Sequence, residues 1–211
     1  MTPRVLILNL RRVGRAGFFF FLAGNALLTV FLTLSHIYAT RFGYRSSYWE
    51  LSELVYYGNQ AKGFFMAAII IEAFSLFGIL VPLGFFISEK KWRVGYYFLV
   101  CLTTYSLLLV GAVPEDWFYL GHYLIAIIFF FAEGALILFT SIYLFKLKTT
   151  INRFYPWFGL FTFGAFIFYI ITRDLFGNAY TQRIVVLLSI LFVLVLGAEF
   201  FLREKHYSRL N

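Results

Sequence analysis

Six long apolar stretches follow one another along the chain, and they limit its fold more than any other feature. An α-helix needs about 20 apolar residues to cross the roughly 30 Å hydrocarbon core of a membrane. Membrane β-strands are shorter and alternate between polar and apolar residues. These stretches are longer and continuously apolar, so they do not fit such strands. The sequence therefore predicts an all-α, polytopic membrane protein, a six-transmembrane-helix bundle in one domain over residues 1–211. The spans cover about 15–40, 63–87, 94–113, 117–146, 154–173 and 182–202.

Composition supports a membrane protein and argues against nucleic acid as a partner. Hydrophobic residues make up 62% of the chain and charged residues 13%, whereas about a quarter of the residues in a soluble domain are charged. The net charge of +8 comes from short basic clusters between apolar stretches, the pattern of cytoplasmic loops. A single cysteine, Cys101, excludes a disulfide framework and a cysteine metal site within this sequence.

The basic residues also predict an orientation. Of the 18 Lys and Arg residues, thirteen fall in the N-terminal segment, at 90–93, at 146–153 and after 202, and the other five fall in the alternate connections. By the positive-inside rule both termini are cytoplasmic, in a multi-pass protein of the cell membrane. The first apolar stretch runs to about Thr40 and exceeds a signal-peptide core of roughly 7–15 residues, so we expect a retained signal anchor.

The connection of residues 41–62 is the longest and lies on the predicted outer side. Trp49, Leu51, Leu54, Val55 and Tyr56 are spaced as on one face of a short helix. We therefore expect an amphipathic helix lying in the membrane interface here.

Three glutamates lie inside the apolar stretches: Glu72, Glu133 and Glu199. A charge at mid-membrane costs about 2.5–3.5 kcal/mol on insertion scales, so such residues usually face the bundle interior. Counting along each span places Glu72 near the midplane and places Glu133 and Glu199 at similar depth in the inner half.

Two interpretations of these glutamates stay open. The first is a proton or cation relay, or a buried binding site formed by Glu133 and Glu199. The second is that protonated or hydrogen-bonded glutamates hold helices together, with Gly134 and Gly197 permitting close approach.

A second polar group is predicted at the outer surface. It contains His36, His122, Glu115 and Asp116, with the further carboxylates Glu50, Glu53 and Asp174 on neighbouring connections. Histidines and carboxylates can bind a divalent metal or act as acid and base on a lipid headgroup. Haem would need two facing histidines, for which only His36 and His122 are candidates, because His206 lies in the opposite basic tail. No ligand spacing such as HExxH occurs, so we predict no metal site, cofactor or catalytic residue.

His122 and Glu133 share one face of the fourth span. Eleven residues make almost three helical turns, which separates the two side chains by about 16 Å along the axis. We therefore expect one polar stripe facing the bundle interior. The preceding turn, residues 114–117, is explained by its position outside the membrane.

The segment "GAVPEDWFYLGHYLIAIIFFFAEG" contains a Gly-x-x-Pro-acidic turn followed by a histidine at a helix start. It resembles a family of small prokaryotic six-helix membrane proteins named domain of unknown function 998. In that family a Gly and then Gln or Glu followed by Arg precede the last span, which Gly177, Gln182 and Arg183 match here. The turn is also similar to the eukaryotic DRAM/Sfk-type membrane proteins, whose association with lipid handling implies an outer-leaflet role for His122. The prokaryotic family implies the fold but no established activity.

Two functions compete at this point. The first is a non-enzymatic accessory or assembly subunit, or a lipid-interacting module, with membrane lipids and other membrane protein subunits as partners. The second is a small transporter or lipid-modifying membrane enzyme that uses His122 with the outer carboxylates, or Glu72, Glu133 and Glu199. The second function requires a polar cavity that reaches those side chains.

Overall fold

Six long helices form a bundle in which each helix packs against the next one in the chain. The structure, a computed structural model, describes residues 3–44, 51–147, 153–176 and 179–202, with side chains described except at 1–11 and 173–179. Helix α6 also contacts α1 and α2, which closes the bundle. Glu50, Trp49, Gly177 and His206 lie outside the described residues, as does the side chain of Asp174.

All six predicted spans are confirmed as helices that are long and apolar enough to cross a membrane. Their spanning parts are Arg12–Thr40, Asn59–Phe86, Lys90–Ala112, Tyr119–Lys146, Phe154–Thr172 and Tyr180–Leu202, and no predicted boundary differs by more than four residues. The helices are α1 (Pro3–Thr40), α2 (Asn59–Leu83), α3 (Lys90–Ala112), α4 (Tyr119–Lys146), α5 (Phe154–Phe176) and α6 (Ala179–Gly197). A 3-10 turn, Gly84–Phe86, extends α2, and a π-helical turn, Ala198–Leu202, extends α6.

The two ends of the bundle are distinguished by their connections. We call the end that carries the α1–α2, α3–α4 and α5–α6 connections the His122 end, and the opposite end the Lys146 end. The central core runs the length of the bundle and draws on all six helices. A smaller apolar cluster lies beneath the α1–α2 connection at the His122 end.

Helices α1 and α2 approach each other closely because glycines line their contact. A Cβ at Gly17 would collide with the carbonyl oxygen of Gly78. In a regular helix the N–H of residue 82 would bond to that carbonyl, and Pro82 has no N–H. A Cβ at Gly24 would collide with the side chain of Ser75. The absence of side chains at Gly17 and Gly24 therefore lets α1 lie directly against the α2 backbone at Gly78 and against the side chain of Ser75.

The two glycines expected to permit close approach behave differently. At Gly197 a Cβ would lie 2.6 Å from Ile79 Cδ1 and 3.0 Å from Phe18, so both side chains would have to shift where α6 meets α1 and α2. At Gly134 the nearest atoms, on Phe166, would be 3.6 Å away, which is ordinary contact. The expectation is confirmed for Gly197 and wrong for Gly134, where the facing phenylalanines of α5 already leave room for a methyl group.

The connection between α1 and α2 contains a short helix, Leu51–Tyr56, of the 3-10 type. Leu54 and Val55 are 0% and 2% exposed and pack in the smaller apolar cluster with Phe65. The prediction of a short helix is confirmed, and Leu54 and Val55 of its predicted apolar face are covered by protein, while Tyr56 is 51% exposed. Burial against α1 and α2 competes with membrane contact and satisfies the same side chains.

Gly24→Ala should lower the free energy of unfolding by about 1–3 kcal/mol, because the new methyl group overpacks the α1–α2 contact at Ser75. Thermal unfolding in detergent micelles measures the change. Gly164→Ala is the matched control, since nothing lies within 4 Å of its Cβ and alanine favours a helix. An unfolding midpoint for Gly24→Ala equal to that of Gly164→Ala would contradict the close approach.

Candidate functional site

A cavity of about 100 Å³ lies inside the bundle and is lined by residues from all six helices. It extends from Ser52 and Glu115 in the connections at the His122 end to Glu133 near the middle of the bundle. Its walls are mainly apolar, with polar side chains converging at a few points. The polar lining residues are Ser52, Glu72, Glu115, His122, Tyr123, Glu133, Tyr169, Gln182 and Ser189.

Glu72 enters the cavity from the middle of α2 and is 7% exposed. The hydroxyl group of Ser75, one turn further along, lies 3.0 Å from the Glu72 carboxyl oxygen Oε2 and 3.0 Å from the Glu72 carbonyl oxygen. Because Ser75 also packs against Gly24 of α1, the orientation of the Glu72 carboxyl group depends on the close α1–α2 contact.

Glu133 enters the same cavity from α4 and is 6% exposed. The Ser189 hydroxyl group of α6 lies against its carboxyl group, and the Glu72 carboxyl group is near enough to interact with it electrostatically. Its oxygen Oε2 is buried and has no hydrogen-bond partner among the described residues. A buried acceptor without a partner costs about 1–3 kcal/mol, so this carboxyl group is poised to bind something further.

A second, smaller cavity of about 20 Å³ begins on the far side of Glu133. Glu133 and Leu76 line both cavities. Thr103 lines the smaller one, and its buried hydroxyl oxygen also lacks a hydrogen-bond partner among the described residues. Glu133 therefore stands between two internal spaces, one reaching towards the His122 end and one towards the Lys146 end.

The depth predicted for Glu133 is corrected by the observed helix ends. Helix α4 begins at Tyr119 and ends at Lys146, which puts Glu133 at its middle, as Glu72 is at the middle of α2 with its 3-10 extension. The two glutamates are therefore at matching heights. The stripe predicted from the spacing of His122 and Glu133 faces the interior, since both line the larger cavity.

His122 lies in the first turn of α4 and is 3% exposed. Its ring nitrogen Nδ1 lies 2.7 Å from the carbonyl oxygen of Val113, at the end of α3. A carbonyl oxygen only accepts, so Nδ1 carries the proton and donates. In the neutral ring this bond leaves Nε2 as the acceptor, and it ties the end of α3 to the first turn of α4 beside the cavity.

The neighbouring acids Glu115 and Asp116 face different surroundings. Asp116 forms an ion pair with Lys62 at 2.7 Å, and the Lys62 ammonium also lies 5.2 Å from the centre of the Trp117 ring. Glu115 instead lines the larger cavity, and its buried oxygen Oε2 has no hydrogen-bond partner among the described residues. The sequence explains these turn residues by their predicted position outside the membrane. That explanation accounts for the ion-paired Asp116, but it does not account for Glu115 in the cavity lining.

Glu199 belongs to a different site. It lies in the π-helical turn after α6, is 4% exposed, and accepts a hydrogen bond of 2.7 Å from the Tyr155 hydroxyl group of α5. Arg15 of α1 donates to the carbonyl oxygen of Phe201 in the same turn, at 3.1 Å. Glu199 is not among the residues that line these two cavities, whereas Glu72 and Glu133 both line the larger one, so the structure brings Glu133 together with Glu72. A π-helical turn adds a residue and shifts the phase that simple counting assumes.

His36 does not face His122. Its Nδ1 donates to the carbonyl oxygen of Leu32, one turn back in α1, at 2.8 Å, and its ring lies against that of Tyr44 at 5.3 Å between centres. His36 is not among the residues that line the larger cavity. Within the described residues no group of three or more His, Cys, Asp or Glu side chains is arranged to hold a metal.

Two α6 residues that only the family resemblance had singled out hold the His122 end together. The Gln182 side-chain oxygen accepts a hydrogen bond of 2.9 Å from the Leu51 amide, and Arg183 donates to the Tyr44 hydroxyl oxygen at 2.9 Å. Burial raises the pKa of the Tyr44 phenol, while the Arg183 guanidinium acts in the opposite direction. Residue-by-residue reasoning gave no signal for these bonds, because both partners lie in a distant connection.

No protein-family model, curated protein or solved structure matches the chain. The site is therefore interpreted from its own geometry. Its chemistry is that of two buried carboxyl groups that line one internal cavity, with a third carboxyl group and a histidine nearer the His122 end.

His122→Ala should lower the free energy of unfolding by about 1–3 kcal/mol, because the Val113 carbonyl loses its buried donor. Thermal unfolding of the purified protein measures the loss. In His122→Asn the side-chain amide nitrogen stands close to the position of Nδ1 and can donate to the same carbonyl, so this variant should recover much of the stability. Equal losses in both variants would show that the Nδ1 bond does not hold the turn.

Proposed function

We propose that this chain is a small transporter that moves protons or small cations through its helix bundle, with Glu133 as the central binding group. The observation that carries the proposal is the position of Glu133 between the two internal cavities, with one buried carboxyl oxygen unpartnered. A residue that only joined helices would be expected to have both oxygens satisfied, since an unmet buried acceptor destabilises the fold.

The charge of the lining supports a cation rather than an anion. Glu72, Glu115 and Glu133 line the larger cavity, and none of its lining residues is Lys or Arg. A volume of about 100 Å³ has room for several water molecules. Water in this space would connect the carboxyl groups to the His122 end and supply the hydrogen bond that Glu133 lacks.

The proposal includes the membrane and the orientation. The positive-inside distribution supports insertion in the cell membrane with both termini cytoplasmic, which places the His122 end outside. In that orientation the larger cavity is reached from outside, and the smaller cavity beyond Glu133 leads towards the cytoplasm. Movement of Leu76 or Glu133 would then decide which side has access to the carboxyl group.

The second candidate is a lipid-interacting or accessory subunit, and one observation favours it. A groove of about 390 Å³ lies on the outer surface between α2 and α3. Phe74 and Tyr105 line it and are 57% and 62% exposed. An apolar groove between spanning helices fits a lipid acyl chain. The resemblance to domain of unknown function 998 favours neither candidate, because that family has no established activity.

Access to the cavity is tested by thiol labelling in intact cells. In a Cys101→Ala background, Ala126→Cys places a thiol on the cavity wall, and a small membrane-impermeant methanethiosulfonate added outside should modify it. Ser141→Cys is the control, because Ser141 is 0% exposed and packs against Gly159 away from both cavities. If the reagent modifies Ala126→Cys only after the cells are broken open, so that it reaches the cytoplasmic face, the proposed orientation is contradicted. If it modifies Ala126→Cys from neither side, the proposed access of water-soluble molecules to the cavity is contradicted.

Proton movement is tested in proteoliposomes that contain a trapped pH-sensitive dye. A potassium diffusion potential should drive protons faster into vesicles with the protein than into empty ones, and Glu133→Gln should reduce the rate at least tenfold by removing the titrating group. Glu199→Gln is the matched control, because its side-chain oxygen can still accept the Tyr155 hydrogen bond. Rates equal to those of empty vesicles, or equal in both variants, would contradict proton transport.

A further inference from the structure

We propose that the larger cavity binds a small organic ammonium ion, with the ammonium group between Glu72 and Glu133 and its carbon substituents against the surrounding aromatic rings. The inference rests on the proposed transport function and specifies its substrate class. It depends on three features of the cavity: the charge at its deep end, the character of its walls and its size.

The deep end lacks a positive group. Glu72 and Glu133 are 7% and 6% exposed and close enough to interact, and the hydroxyl groups of Ser75 and Ser189 lie against their carboxyl groups. Glu133 Oε2 has no hydrogen-bond partner within the described residues and belongs to a cavity-lining side chain. An ammonium group supplies both the opposite charge and the missing N–H donor, and charge-assisted hydrogen bonds are the strongest of their kind.

The walls favour an organic cation over a metal ion. Hard inorganic cations take about six oxygen ligands, whereas the deep end offers the two carboxyl groups and a few hydroxyl groups among mainly apolar side chains. Phe129, Phe130 and Tyr169 line the same space, with the Phe130 ring centred 5.2 Å from that of Phe129 and 5.0 Å from that of Tyr169. Such rings attract a desolvated ammonium group and pack against its alkyl substituents.

The volume of the cavity and the carboxyl group near its His122 end both fit a small organic ammonium ion. An engineered protein cavity of 150 Å³ holds benzene, so a cavity of about 100 Å³ admits a ligand of roughly four to six non-hydrogen atoms. Glu115 lines the region nearer the His122 end with a buried oxygen that lacks a partner among the described residues. A carboxyl group there draws cations towards the deeper pair and disfavours anions.

Binding of tert-butylammonium to the purified full chain in lipid nanodiscs tests the proposal, with tert-butanol as a neutral probe of nearly the same shape. Equilibrium dialysis with radiolabelled probes should show at least tenfold tighter binding of the ammonium ion. Glu133→Gln and Glu72→Gln should each weaken that binding at least tenfold. Asp116→Asn should leave it unchanged, because Asp116 pairs with Lys62 outside the cavity.

Two further measurements keep the result decisive. If Glu133→Gln does not fold, Glu133→Asp keeps the charge but withdraws it by one methylene group and should still weaken binding. When solutions of equal ionic strength are compared, sodium or potassium ions should displace little of the bound tert-butylammonium. Equal binding of the two probes, full competition by an inorganic cation, or affinity unaffected by the Glu72 and Glu133 substitutions would each overturn the proposal.

The outcome is separable from that of the transport proposal. Proton movement that depends on Glu133 without tert-butylammonium binding would leave transport standing and overturn only the substrate class. Specific tert-butylammonium binding without movement across proteoliposomes would keep the site and overturn transport.

Discussion

A carboxyl group at the middle of a transmembrane helix is costly wherever it meets hydrocarbon, and two helices of this bundle carry one at matching heights. Glu72 and Glu133 are both turned inward, and all six helices contribute to the cavity that receives them. The internal cavity therefore lies where the two carboxyl groups enter the bundle. Apolar side chains can fill the space around the pair, but they cannot satisfy its oxygens.

The ends of the bundle contrast with its centre. Two pairs of polar side chains lie near the ends, with Lys62 bound to Asp116 at one end and Tyr155 bound to Glu199 at the other. The π-helical turn of Glu199 is further held by Arg15. At the centre Ser75 and Ser189 satisfy only part of the carboxyl pair. Paired side chains at both ends, with the Glu133 and Glu115 carboxyl groups left incompletely satisfied along the cavity, suit a protein that binds a ligand inside a stable frame.

Close helix packing connects the frame to the centre. Gly24 on α1 leaves space for Ser75, and Ser75 lies against the Glu72 carboxyl group. Gly197 similarly lets the end of α6 approach Ile79 on α2. Substitutions at these glycines would therefore act on the carboxyl pair through helix position, without touching the cavity themselves.

The sequence predicted the helices well because span length and polarity are local properties, and the same holds for the inward stripe of His122 and Glu133. It did not indicate that Glu72 and Glu133 share a cavity, since depth counted along a span takes no account of the π-helical turn or of where α4 begins. It gave no way to separate Glu115 from Asp116, because their different orientations depend on Lys62, more than fifty residues away. It also missed Gln182 bonding to Leu51, a contact between distant segments.

Water access to the carboxyl pair is the central claim, and infrared spectroscopy of the carboxyl stretching bands during exchange into heavy water, at a pH low enough to protonate the carboxyl groups, tests it most directly. Bands that disappear in Glu72→Gln or Glu133→Gln identify the pair, and the band lost in Glu199→Gln gives an internal reference outside the cavities. The account predicts that the bands of the pair shift promptly on exchange, while the Glu199 band shifts more slowly. Bands of Glu72 and Glu133 that stay unshifted for as long as the Glu199 band would contradict it.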